Sequence, residues 1–137
     1  DQDGAEGNVA TIQQTGWFNE AIINQDSEEN VANVDQTGKN MLATIDQSNG
    51  VGNIANVVQG DDALDNANQV DVDQLGNFNQ VTVTQLGSLN TGDIWQQGDL
   101  NTYTLDQDGL RNYAGNAQYG TENQITISQS GNNNATV

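Results

Sequence analysis

The chain has no proline, no cysteine and no histidine, and only two basic residues, Lys39 and Arg111, among 137. Without proline, every residue keeps a backbone N–H for a sheet ladder. Without cysteine, neither disulfides nor thiolate metal sites can hold a fold together. The missing histidine removes the commonest acid-base group and metal ligand. Nineteen acidic residues set the formal charge at −17, which disfavours nucleic acid and anionic membrane surfaces as partners. No stretch approaches the roughly 18 apolar residues of a membrane helix, so no membrane insertion is expected. The chain opens on Asp1 with no signal peptide, the expectation for a processed, mature form.

Hydrophobic residues make up 34% and aromatics 5%, close to a disordered composition. What is present argues otherwise. Glutamine recurs every eleven residues as Gln14, Gln25, Gln36 and Gln47, then Gln74, Gln85, Gln96, Gln107, Gln118 and Gln129, with Gln59 between the two series. An asparagine stands six residues before nearly every one: Asn8, Asn19, Asn30, Asn53, Asn68, Asn79, Asn90, Asn101, Asn112 and Asn123. Met41 takes that place before Gln47. A fixed short period is the mark of a stacked repeat.

Between each asparagine and its glutamine, character alternates. Counting from the asparagine, places two and four are Ala32 and Val34, Ala43 and Ile45, Val70 and Val72, Val81 and Val83, Tyr103 and Leu105. The intervening places are mostly polar, as at Asp71, Asp73, Thr82 and Thr84. Period two with β-branched residues on one face predicts a half-buried strand, with asparagine and glutamine facing inward alongside the aliphatics. Four residues usually follow each glutamine before the next asparagine, and glycine sits second in most of these turns. These turn glycines are Gly16, Gly38, Gly76, Gly87, Gly98, Gly109, Gly120 and Gly131. Glycine takes a left-handed turn position without steric cost.

The pattern therefore predicts an all-β fold: a two-sheet parallel β-solenoid of 22-residue strand–turn–strand rungs, becoming cross-β in an assembled fibre. Residues 1–7 read as a polar extension and 8–137 as the solenoid, with an acidic loop, GDDALDNA, at about 60–67. Stacked rungs lie about 4.8 Å apart, so inward amides at matching places are expected to bond to one another in structural ladders, as in amyloid. Gly92 and Asn116 fall on inward aliphatic places, marking their strands as the expected weak points.

The repeat N-x5-Q-x-G-x-x-N-x5-Q resembles the curlin repeat of bacterial curli, the functional amyloid of biofilms. NVATIQQTGWFNEAIINQ, NQVTVTQLGSLNTGDIWQ and NTYTLDQDGLRNYAGNAQ carry the likeness, and it extends over about residues 8 to 137. The turns DSEE and SNGVG and the stretch 60–67 depart from it. The resemblance implies a secreted, extracellular cell-surface fibre built of major and minor subunits, serving biofilm matrix and adhesion; the number of repeats that keep the pattern favours the major type over the minor. As partners it implies a nucleator subunit, a secretion pore and periplasmic chaperones. It implies no catalysis and no cofactor.

Other functions have weaker support in the residues. Asp61, Asp62 and Asp65, or Asp71 and Asp73, are acidic enough to attract a hard cation, but the glycine-rich nonapeptide of calcium β-rolls is absent. Paired carboxylates have no pocket in so thin a core for glycoside hydrolysis. Trp17, Trp95 and the tyrosines suit adhesion, though scattered exposed aromatics are ordinary. The alternative is a monomeric adhesive or ice-binding solenoid, because Thr82, Thr84, Thr102, Thr104 and Thr126 face outward on one sheet. The polar start DQDGAEG and the closing NNNATV lack capping features, so both ends are expected to resemble the interior and copies of the chain to add end to end as a head-to-tail homopolymer.

Overall fold

A computed structural model describes residues 6–137. The first five residues of the expected polar extension lie outside the described residues. Twelve strands follow in order: β1 (Val9–Trp17), β2 (Glu20–Gln25), β3 (Val31–Lys39), β4 (Leu42–Ser48), β5 (Ile54–Gln59), β6 (Gln69–Leu75), β7 (Gln80–Ser88), β8 (Thr91–Gln97), β9 (Thr102–Leu110), β10 (Tyr113–Tyr119), β11 (Gln124–Asn132) and β12 (Ala135–Thr136). Odd-numbered strands form one six-stranded sheet and even-numbered strands the other. Within each sheet, neighbouring strands are parallel and in register, so Ala10 lies on Ala32 and Thr104 on Thr126. This is the two-sheet β-solenoid that the eleven-residue period predicts.

The alternation of the sequence becomes the two faces of each strand. In β3 and β4 every second residue is buried and its neighbours are half-buried. The core is a strip of small and β-branched side chains: Ala32, Val34, Ala43, Ile45, Val57, Val70, Val72, Val81, Val83 and Ile94, with Tyr103 and Leu105. Burying a Val or Ile side chain contributes roughly 1.5–3 kcal/mol, and the strip is only two side chains thick.

The spacing departs from 22 residues at two places. SNGVG carries one residue more than the standard turn, so Gln36 and Gln59 are 23 apart. The stretch 60–67 adds more, separating Gln59 from Gln85 by 26, and the two surpluses together separate Gln47 from Gln74 by 27. Register is kept because the surplus leaves the stack: Asp61, Asp62, Ala63 and Leu64 are exposed, and Asn66 rejoins as a bridge between Lys39 and Ser88. Asp65 turns inward and accepts the Asp61 N–H at 3.0 Å.

Met41 explains itself against this loop. Its methyl group lies beside both Gly38 and Gly60, close enough that a Cβ at either position would press on it. The one asparagine place occupied by an apolar residue is thus the one beneath the irregular turn.

Candidate functional site

The solenoid's distinguishing chemistry is its buried amide lining. Gln36, Gln47, Gln59, Gln74, Gln85, Gln96 and Gln107 are all fully buried. In the odd sheet the side-chain amide of Gln14 donates to Gln36 Oε1 at 2.7 Å, Gln36 to Gln59 at 2.8 Å, Gln59 to Gln85 at 3.0 Å, Gln85 to Gln107 at 2.8 Å and Gln107 to Gln129 at 2.8 Å. In the even sheet Gln25 donates to Gln47, Gln47 to Gln74, Gln74 to Gln96 and Gln96 to Gln118, at 2.7 to 3.0 Å. Each amide nitrogen has a second proton, and that one crosses the core. Gln36 gives it to the Glu20 carbonyl at 2.9 Å, Gln85 to Gln69 at 3.0 Å and Gln107 to Thr91 at 3.1 Å. A single residue type therefore ties rung to rung and sheet to sheet.

Asparagine bonds differently from the side-chain ladder expected of it. The Oδ1 of Asn30 accepts the backbone N–H of Asn53 at 2.8 Å, Asn53 that of Asn79 at 2.9 Å, and Asn90 that of Asn112 at 3.0 Å. Its Nδ2 reaches the turn below, where Asn53 donates to the Gly76 carbonyl at 2.7 Å and Asn68 to that of Gly87 at 2.9 Å. Side-chain to side-chain bonds join Asn79 with Asn101, Asn101 with Asn123, and Asn112 with Asn134, each at 3.0 Å. With one methylene fewer than glutamine, asparagine stays close to its own backbone and serves the corner. Asn8 and Asn19 are half-buried and Asn123 is exposed, because their strands lie near the ends of the stack.

The turn glycines stand in columns. A Cβ at Gly16, Gly76, Gly87, Gly98 or Gly109 would collide with the carbonyl oxygen of the glycine on the next rung, whereas one at Gly120 would make only ordinary contact with the Asn123 amide and Gly131 faces open space. A second left-handed residue in these turns carries no signal in the sequence. It immediately precedes the asparagine, at Phe18, Phe78, Leu89, Leu100 and Arg111, with φ between 55° and 61°. Its only requirement is a backbone angle, so side chains of any kind occupy it, and a left-handed non-glycine residue costs about 1–2 kcal/mol. The Asn–glycine bonds hold these corners in place.

Outside, charge is distributed unevenly. Asp71 lies in register with Asp93, and Asp46 with Asp73, giving four carboxylates on three adjacent strands of the even sheet. Partial burial, then Asp71, Asp46 and Asp93, push the Asp73 carboxyl up to about 6. Burial, then Asp93 and Asp46, also raise Asp71. Among the described residues no group of three or more acidic side chains has a geometry that could hold a metal ion. Trp95 faces outward and half-exposed, and Lys39 Nζ sits 5.0 Å from the centre of the Trp17 ring, a cation–π contact at one corner.

Tyr103 is buried, and its phenol is raised to about 12, chiefly by burial; the Asn116 amide works in the opposite direction. Neither the Tyr103 hydroxyl nor Asn116 Nδ2 forms a well-shaped hydrogen bond. A core phenol and the amide that interrupts the aliphatic pattern thus act on one another across the core. Likewise the Tyr113 ring lies over Gly115, on the outer face of the same strand.

Together these features define a parallel β-solenoid whose interior is knitted by amides and whose sheets end in unpaired strand edges. Residues 66–98, 79–109 and 98–131 each match the curlin associated repeat. The matched span, residues 66–131, supports membership of the curlin family. Ahead of the matched span, β1, β3 and β5 continue the same sheet in the same register. No curated protein and no solved structure matches the chain.

Proposed function

We propose that this chain is the structural subunit of an extracellular, curli-like amyloid fibre. Subunits polymerise head to tail by stacking solenoid ends, and the fibre serves as biofilm matrix and surface adhesin. The observation that carries the proposal is the run of glutamine amides from Gln14 to Gln129, repeated without a break over six strands. Such a column is satisfied internally at every rung and has no internal reason to stop, while β1 lies exposed along its whole length. A flat, exposed edge strand invites pairing with another chain, and a contact between unlike ends that does not close generates a filament. The match to the curlin repeat supports the same conclusion and suggests a nucleator subunit, an outer-membrane secretion pore and periplasmic chaperones as partners.

Incubating the purified chain and examining it by electron microscopy and fibre diffraction tests this. Unbranched filaments with a meridional reflection near 4.7–4.8 Å are expected. A solution that stays monomeric at high concentration would refute the proposal.

One observation favours the monomeric alternative. Thr82, Thr104 and Thr126 form an in-register outward column on β7, β9 and β11. The column gives way to Asn56 and Asn33 on one side, and Asp106 interrupts the neighbouring column between Thr84 and Ser128. Three threonines offer too small a regular surface for ice, and thermal hysteresis of the monomer is the discriminating measurement.

A further inference from the structure

All the glutamine amides of the ladders point the same way along the stack. Each Nε2 donates toward the C-terminal end and each Oε1 accepts from the N-terminal side, in both sheets. The direction is fixed by the second proton. Gln36, Gln85 and Gln107 each give it to a carbonyl of the opposite sheet, so reversing an amide would set its oxygen against that carbonyl oxygen. The common direction belongs to the glutamines: where asparagines bond to one another, Asn101 Nδ2 donates to Asn79 Oδ1 and Asn123 Nδ2 to Asn101 Oδ1, toward the N-terminal end.

The two ends of the stack are consequently unlike. At the β1 end, Gln14 offers an acceptor oxygen on an exposed strand. At the other end Gln118 gives one proton to the Thr102 carbonyl and has its remaining N–H directed along the stack. Gln129 donates to the Tyr113 carbonyl and, at 3.1 Å, to Thr136 Oγ1. That hydroxyl, on β12 of the opposite sheet, takes the proton that on the inner rungs goes to the next glutamine oxygen.

We propose that this common direction is the specificity determinant for self-association, so that a second copy adds only with its acceptor end on the donor end of the first. The inference rests on the fibre reading above and adds a mechanism for its polarity. A matched junction continues the amide chain and frees Gln129 from Thr136. An inverted junction brings Oε1 against Oε1, or N–H against N–H, with no partner for either in a site that excludes water.

Cryo-electron microscopy of fibres grown from the full chain, at a resolution that traces strand direction, tests the polarity. Matched junctions are expected to outnumber inverted ones by at least about tenfold, the ratio implied by one lost buried hydrogen bond. Comparable numbers of the two junctions would overturn the inference and with it the head-to-tail order, leaving only the fibre itself; absence of fibres would overturn both readings. The amide's part is tested by Gln14→Met, which keeps length and removes the acceptor, beside Gln13→Met on the outer face of the same strand. Elongation from wild-type seeds is expected to slow by about tenfold for the first and little for the second. Equal rates for the two variants would overturn the assignment, since both lie on the same exposed strand.

Discussion

Gln85 donates to Gln107 Oε1 at 2.8 Å while its own oxygen accepts from Gln59 at 3.0 Å. Its second proton goes to the Gln69 carbonyl at 3.0 Å, so one fully buried side chain serves three partners. Gln85→Leu would preserve apolar volume and leave those partners unsatisfied, each in a dry interior. The expected cost is roughly 2–4 kcal/mol, measured as a lowered urea midpoint of the monomer. The outward Gln13→Leu, on an exposed strand, is expected to change the midpoint by less than about 0.5 kcal/mol. Similar losses for both would show that burial area, rather than amide bonding, holds the rungs.

The glycine columns make a second contrast. Gly109 has φ +123° and a Cβ there would strike the Gly131 carbonyl; Gly131 has φ +91° and nothing near it. Gly131→Ala should therefore show only the backbone cost of a left-handed alanine, about 1–2 kcal/mol. Gly109→Ala adds a collision with backbone that cannot move without opening the rung spacing, and should cost clearly more. Thermal unfolding of the two variants side by side checks the order, and equal losses would place the whole effect in φ.

These contrasts also show what the residues alone revealed. The eleven-residue period and the alternation at Val81, Val83 and Gln85 identify strands, faces and parallel stacking, because side-chain parity is a direct consequence of the pleat. The direction of each amide is not legible, since a glutamine reads the same whichever way its oxygen points. Nor is the division of labour between Asn53, which braces a turn, and Gln59, which crosses the core. The left-handed places at Phe18, Leu89 and Arg111 left no trace, because backbone angle and not side-chain chemistry defines them. Met41 and the insertion at 60–67 were each visible as departures, but only the folded chain places one beneath the other.

Tyr103 and Asn116 offer a test of coupling between departures. The tyrosine hydroxyl is buried without a good partner, and an unsatisfied buried hydroxyl costs about 1–3 kcal/mol. Tyr103→Phe is thus expected to be neutral or stabilising. Asn116→Val restores the repeat's aliphatic but removes the polar group nearest the phenol, so it should help more in the Tyr103→Phe background than alone. A double-mutant cycle measures this, with a coupling of at least about 0.5 kcal/mol expected for neighbouring groups. Strict additivity would mean that the two side chains tolerate their places independently.

The acidic face predicts how stability follows pH. The Asp73 carboxyl is raised to about 6 from an ordinary value of 3.8, first by partial burial and then by Asp71, Asp46 and Asp93. Asp71 is raised for the same kinds of reason. A raised carboxyl means that the folded chain binds more protons than the unfolded chain between those two values, so stability falls as pH rises through that window. The monomer should therefore gain stability as pH drops from 7 toward 4, with no further gain from this group below the unfolded value. Asp73→Asn removes both the burial of charge and the repulsion along the in-register pairs Asp46–Asp73 and Asp71–Asp93. It should raise the melting temperature at pH 7 and lose that advantage near pH 4. Salt acts on the same repulsion, because screening shortens its reach to about 10 Å at 0.1 M; filament growth is accordingly expected to quicken with added salt or near pH 4. Melting curves from pH 4 to 7 for the two proteins decide the matter. Parallel curves would remove Asp73 as the source, and growth rates indifferent to both salt and pH would remove acidic repulsion as a brake on assembly.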